Sequence, residues 1–137
     1  MTLVIVIKNR AGLALAADTA LTMSIPNRRG GVDLISTGSI AKKILCFEKP
    51  HNFAAAVTWG RAEIKRKTPN EFRKEFEKSL PQERLPVKKI AEELSTFLME
   101  KWAHSADRRS YSAKPEEQMQ FFVAGFDKNE PYGCVYT

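Results

Sequence analysis

The sequence predicts an α+β domain in which helices lie outside a sandwich of two sheets. Three observations carry that reading. Four strand-like segments precede any helix, two amphipathic helices follow in succession, and two further strand-like segments come after them. Strands, then helices, then strands is the order of helices layered on sheet, not of alternating βαβ units. At 137 residues, 43% of them hydrophobic, the chain suits a single domain over 1–137 with one core.

The first strand is the β-branched run Leu3 to Ile7, which has no helical period. Asn9-Arg10-Ala11-Gly12 is a tight turn, and the Leu/Ala alternation from Leu13 to Ala17 is the second strand. Such a hairpin sets Thr2 and Asp18 at the same edge of one sheet. From Thr19 to about Ala41 the chain carries Pro26, Asn27, Gly30, Gly31 and Gly38 without sustained periodicity, and reads as a long loop or ragged hairpin. Lys43–Glu48 is the third strand, Lys49–Asn52 a turn, and Phe53–Trp59 the fourth strand, ending at Gly60. Strands one, two and four are apolar on both faces, the pattern of strands covered on both sides. The alanines at 14, 16 and 17 and at 54–56 suit close approach of a neighbouring layer.

Thr68-Pro69-Asn70-Glu71 opens the first helix, with Thr68 as N-cap, Pro69 at the first helical position and Glu71 completing a capping box. Phe72, Phe76 and Leu80 mark its apolar face. After Pro81 and Pro86 a longer helix repeats Val87, Ile90, Ala91, Leu94, Phe97, Leu98 and Trp102 at three- and four-residue steps. The polar stretch from His104 to Gln118 reads as a surface connection. Met119–Phe126 and Tyr132–Thr137 form the closing strand pair around the turn Asp127–Pro131.

Composition narrows the function classes. A formal net charge of +6 brings nucleic acid into view. The basic residues Lys65, Arg66, Lys67, Arg73 and Lys74 are, however, interleaved with Glu71, Glu75 and Glu77 and lack an aromatic stacking pattern. That suits a solvated helix face, and no nucleic-acid partner is expected. The longest apolar runs fall far short of a membrane span and no basic region precedes an apolar segment in the manner of a secretory signal, so no membrane partner and a cytoplasmic location are expected. Cys46 and Cys134 lie in apolar runs and read as buried reduced thiols. His51 in a turn and His104 in a polar linker have no ligand at metal-binding spacing; both read as solvated, and neither metal nor cofactor is expected.

Five segments in order resemble the proteasome β-subunit family of N-terminal-nucleophile hydrolases, including its bacterial two-ring relatives. They are Thr2-Leu3-Val4, Gly12 to Asp18, Asp18-Thr19-Ala20-Leu21-Thr22, Lys42-Lys43-Ile44, and Phe121 to Asp127. The resemblance spans nearly the whole chain and implies a four-layer αββα sandwich. It also implies that the polypeptide continues beyond Thr137 with further elements of that fold.

Carried over residue by residue, the resemblance makes Thr2 the nucleophile, Asp18 the acidic residue of strand two and Lys43 the lysine that opens strand three. The chemistry of that trio is coherent. Once Met1 is trimmed, Thr2 carries a free α-amine, a group that ordinarily titrates at ~7.7–8.0 and can take the hydroxyl proton at neutral pH. The Lys43 ammonium favours the alkoxide, and Asp18 holds the lysine. Backbone N–H groups from Thr58 to Gly60 are the candidates for the oxyanion. Strand-edge backbone near Thr22 and Thr58 would hold an extended peptide, with Ala56 among the alanines lining a side-chain pocket. The implied activity is peptide-bond hydrolysis, its substrate a peptide or unfolded protein, its assembly a homo-oligomeric ring with a possible ATP-dependent unfoldase. The alternative is a non-catalytic structural subunit of such a ring. The segment between Asp18 and Lys43 is longer than in the family, and its loop is expected to border the active cleft or a subunit contact.

Overall fold

The computed structural model describes residues 3–26, 32–104 and 118–137. The chain runs β1 (Val4–Asn9), β2 (Gly12–Ala17), β3 (Ala20–Pro26), β4 (Val32–Ile40), β5 (Ile44–Cys46), β6 (Ala54–Gly60), α1 (Pro69–Ser79), α2 (Val87–Ala103), β7 (Met119–Gly125) and β8 (Cys134–Tyr136). This is an α+β arrangement. Six strands precede the helices instead of four, because the segment after Asp18 takes the hairpin alternative as β3 and β4. That pair is antiparallel, from Ala20 opposite Ile40 to Pro26 opposite Val32, with an irregularity between Ala20 and Thr22. The Asn27–Gly31 stretch of the inserted segment lies outside the described residues.

Among the described residues the strands form three sheets: β1-β2, β3-β4, and a four-stranded antiparallel sheet in the order β5-β6-β7-β8. Side chains alternate faces along each strand, so the row Leu45, Ala56, Val123, Tyr136, matched by register, shares one face. Leu45, Ala56 and Val123 are buried there with Phe72, Phe76, Ile90, Leu94 and Phe97 of the helices. Phe76 is the centre of that core, its ring 5.5 Å from Phe97 and 5.8 Å from Phe47. Truncating so buried an aromatic costs about 3–5 kcal/mol. Val57 and Ala124, on the alternate positions, are also buried. Both β1 and β2 pack against this sheet, which leaves β6 covered from two sides, as its Ala-rich sequence predicts.

The same expectation for strands one and two needs correction. Leu3, Ile5 and Ile7 are 62%, 45% and 55% exposed. Val4 and Val6 are half-buried, while no described element covers the opposite face of the hairpin. A β-branched run records a preference for extended backbone, not how many layers lie on it.

Local chemistry fixes the helices. The Glu71 Oε2 atom accepts hydrogen bonds from Thr68 N–H (2.6 Å) and Thr68 Oγ1–H (2.9 Å), so the helix start read from sequence is present. Along the edge strand β5, Arg73 donates to Cys46 O (3.0 Å) and Glu48 N–H to Glu77 Oε1 (2.6 Å). Side chains of α1 thereby satisfy backbone groups that an open edge would leave to another chain. The N-terminus of α2 receives Asp127, whose Oδ1 accepts Val87 N–H at 2.7 Å. No acidic residue stands in the first turn of α2, so this carboxylate from the β7–β8 turn supplies the negative charge that a helix start favours.

Two further readings are corrected. His51 is 3% exposed, not solvated; its Nε2 donates to Glu83 O at 3.1 Å. A turn residue is buried here because the α1–α2 connection folds over it, with the Arg84 guanidinium 3.8 Å from the centroid of Phe53. Both cysteines are free thiols, but Cys46 is exposed and Cys134 only half-buried. Cys46 pairs with Ala55 and so sits on the face away from the helices, at the sheet's outer strand.

Candidate active site at the Asp18–Lys43 corner

The β1–β2 hairpin brings its two ends together by simple register. Its turn is closed by Asn9 Oδ1, which accepts Ala11 N–H (2.8 Å) and Gly12 N–H (3.0 Å). From there the ladder runs to Val4 opposite Ala17. One step further, Asp18 N–H donates to Leu3 O (3.0 Å), while Leu3 N–H donates to the Asp18 side chain at Oδ1 (2.9 Å). The carboxylate has replaced a ladder carbonyl. It is thereby fixed beside the amide that joins residue 3 to residue 2.

Lys43 reaches the same oxygen from another sheet. Its Nζ stands 3.0 Å from Asp18 Oδ1 and donates to Ala20 O at 2.8 Å. Its main chain continues β5, and its carbonyl accepts Thr58 N–H (2.9 Å) and, at 3.4 Å, Thr58 Oγ1–H. The lysine side chain is 10% exposed and the aspartate 27%. Burial disfavours the Asp18 carboxylate, but the hydrogen bonds from Lys43 and Leu3 and the charge of Lys43 outweigh it, holding its pKa below the ordinary 3.8. The corner thus holds an oriented ammonium on an ionised carboxylate, with one face of the lysine fixed by a backbone carbonyl.

The site residues read from sequence divide into three groups. Asp18 and Lys43 meet as described. Thr58, Gly60 and Ala56 lie on β6, which the Lys43–Thr58 bond ties to this corner. Gly60 ends the strand with φ 78°, a left-handed value that glycine adopts without strain. Thr58 is buried and its N–H is engaged by Lys43, and Ala56 is fully buried in the core beneath the helices, so it lines no open pocket. Thr22 lies on β3 opposite Ser36. Thr2 lies outside the described residues.

Sequence reasoning missed Ala20 O as a partner of Lys43, since a carbonyl carries no sequence signal. It also missed Asp127 as a helix cap. Among the described residues, no group of three or more His, Cys, Asp or Glu side chains is placed to hold a metal ion, and no helix is long and apolar enough to cross a membrane. Comparisons with protein-family models, with curated proteins and with solved structures found no match.

Proposed function

We propose that this chain is a threonine-type peptidase that hydrolyses peptide bonds through Thr2, in the manner of the proteasome-like N-terminal-nucleophile hydrolases it resembles. The observation that carries the reading is the sharing of Asp18 Oδ1 between Leu3 N–H and Lys43 Nζ. It couples a lysine to the backbone immediately after the proposed nucleophile. In this reading the full fold is a four-layer αββα sandwich acting in the cytoplasm, as a homo-oligomeric ring fed by an ATP-dependent unfoldase.

The reaction begins when Met1 has been removed, because an acylated nitrogen is not a base. Thr2 Oγ attacks the peptide carbonyl and its proton passes to the α-amine. The Lys43 ammonium stabilises the developing negative charge at Oγ, and Asp18 keeps the ammonium in place. Collapse of the tetrahedral intermediate breaks the C–N bond, the leaving amine takes the proton, and an ester on Thr2 remains. Water, deprotonated by the same amine, then releases the acid and restores the hydroxyl. Of the three N–H groups from Thr58 to Gly60, that of Trp59 faces Gln120 in the β6–β7 ladder, which leaves Gly60 N–H as the oxyanion donor on β6.

One observation favours the second reading, a non-catalytic subunit. Thr58 N–H, a candidate oxyanion donor, already has Lys43 O as its acceptor at 2.9 Å. A panel of fluorogenic peptides on Met-trimmed protein, with Thr2→Ala in parallel, separates the two. Hydrolysis lost in the variant supports the peptidase; no hydrolysis by either protein supports the structural subunit.

A further inference from the structure

We propose that the turn Ile64–Lys67 is a docking point for an acidic polypeptide segment, independent of hydrolysis at Thr2. Ile64 and Lys67 exchange both backbone hydrogen bonds, at 2.9 and 3.0 Å, and Ile64 is buried. The two residues between them have φ 54° (Lys65) and 61° (Arg66). Two consecutive positive values are the pattern of a tight hairpin turn for which Asn-Gly is the favoured pair. Lysine and arginine take that conformation only against steric resistance, and a residue held so is a pointer to use of its side chain.

The side chains displayed are all cationic: Lys65, Arg66 and Lys67 are exposed in succession. Of the acidic groups nearby, Glu71 is engaged by Thr68 and Glu75 by Lys101, although Glu75 also lies in the field of Lys65 and Lys67. Arg61, Lys65, Arg66, Lys67 and Lys101 outnumber Glu63, Glu71 and Glu75 on this stretch of surface, on a chain of net charge +6. The chemistry selects among anionic partners. Single-stranded nucleic acid needs open ring faces for its bases. Here Lys67 lies over Phe72, which is itself buried, and Arg61 covers Trp102 at 4.2 Å. A turn of this size also neutralises few charges, which suits a short run of Asp and Glu better than a phosphate backbone.

The test is fluorescence anisotropy with the whole chain and three labelled peptides: one rich in Asp and Glu, one neutral, one rich in Lys. The acidic peptide alone should bind, and less tightly as salt is raised. The double variant Lys65→Asn with Arg66→Gly supplies the favoured turn residues. It should raise the melting temperature while weakening acidic-peptide binding roughly fivefold. Lys65→Gln with Arg66→Gln, which keeps the turn's side-chain bulk, should weaken binding alike. Unchanged affinity in both variants, or no acidic-peptide binding by the parent chain, overturns the proposal. So does an oligonucleotide that binds more tightly than the acidic peptide and loses affinity in the same variants.

Discussion

Lys43 Nζ and Asp18 Oδ1 stand 3.0 Å apart across 25 positions of sequence, and the same oxygen takes the N–H of Leu3. One carboxylate therefore joins the start of β1, the end of β2 and the entry to β5. Lys43→Met should remove this junction, leaving Asp18 with its backbone partners at Leu3 and Ala20. Charge-assisted hydrogen bonds of this kind contribute about 1.5–3 kcal/mol, so denaturant unfolding should show a loss of that order. Peptidase activity, which in this account needs the ammonium, should fall by far more than the stability change explains.

Acid should weaken the same junction in a defined direction. The pKa of Asp18 is lower folded than unfolded, so between the two values the unfolded chain binds more protons and stability rises with pH. The contribution is complete above the ordinary value of 3.8 and is lost as pH falls through the folded one. Carboxyl NMR titration should place Asp18 below the free-aspartate midpoint in the parent chain and return it toward that midpoint in Lys43→Met. An Asp18 midpoint that does not move on substitution would contradict the pair.

Asp127 should behave as the cap of a helix 40 residues away in sequence. Asp127→Ala leaves Val87 N–H without its acceptor and should cost about 0.5–2 kcal/mol, whereas Asp127→Asn, which keeps an acceptor oxygen, should retain most of the stability. Thermal unfolding of the two variants distinguishes a hydrogen-bonding role from a merely solvated turn aspartate.

Gly125 and Gly133 should resist even alanine. A Cβ on Gly125 would meet Phe53 O at 2.7 Å and the Ala54 Cβ at 2.8 Å, and a Cβ on Gly133 would collide with the Leu13 side chain. Leu13 belongs to the β1–β2 hairpin, so Gly133→Ala presses on its contact with the β7–β8 connection. Overpacking of this sort typically costs about 1–3 kcal/mol. Loss of amide hydrogen-exchange protection in β2 should accompany it, and protection unchanged there would contradict the contact.

The two thiols should react at different rates. Cys46 is exposed, whereas burial, the hydrogen bond to Asp127 Oδ2 (3.3 Å) and that carboxylate's charge raise the pKa of the half-buried Cys134. Alkylation followed by peptide mapping should label Cys46 first.

The parts of this fold legible in sequence are those written in local chemistry. Thr68-Pro69-Asn70-Glu71 opens α1 as its capping pattern implies, and the 3.6-residue stripes of both helices are the faces that are buried. The hairpin turn of Asn9 to Gly12 sets the register that carries Leu3 to Asp18. What was not legible depends on distant parts of the chain. His51 is buried by the α1–α2 connection, Asp127 caps a helix from the turn beyond β7, and the exposed row Leu3, Ile5, Ile7 differs from a covered strand only in what lies above it. At the candidate site, the Asp18–Lys43 pair was expected from resemblance, whereas the Ala20 carbonyl that completes the lysine's setting left no trace in side-chain pattern.

The most direct test of the account is to map the adduct of a hydroxyl-trapping peptide electrophile on Met-trimmed protein by intact mass and tandem mass spectrometry. The account predicts one adduct per chain, on Thr2, absent from Thr2→Ala and from protein that retains Met1. An adduct on any other residue, or one that persists in Thr2→Ala, would contradict it.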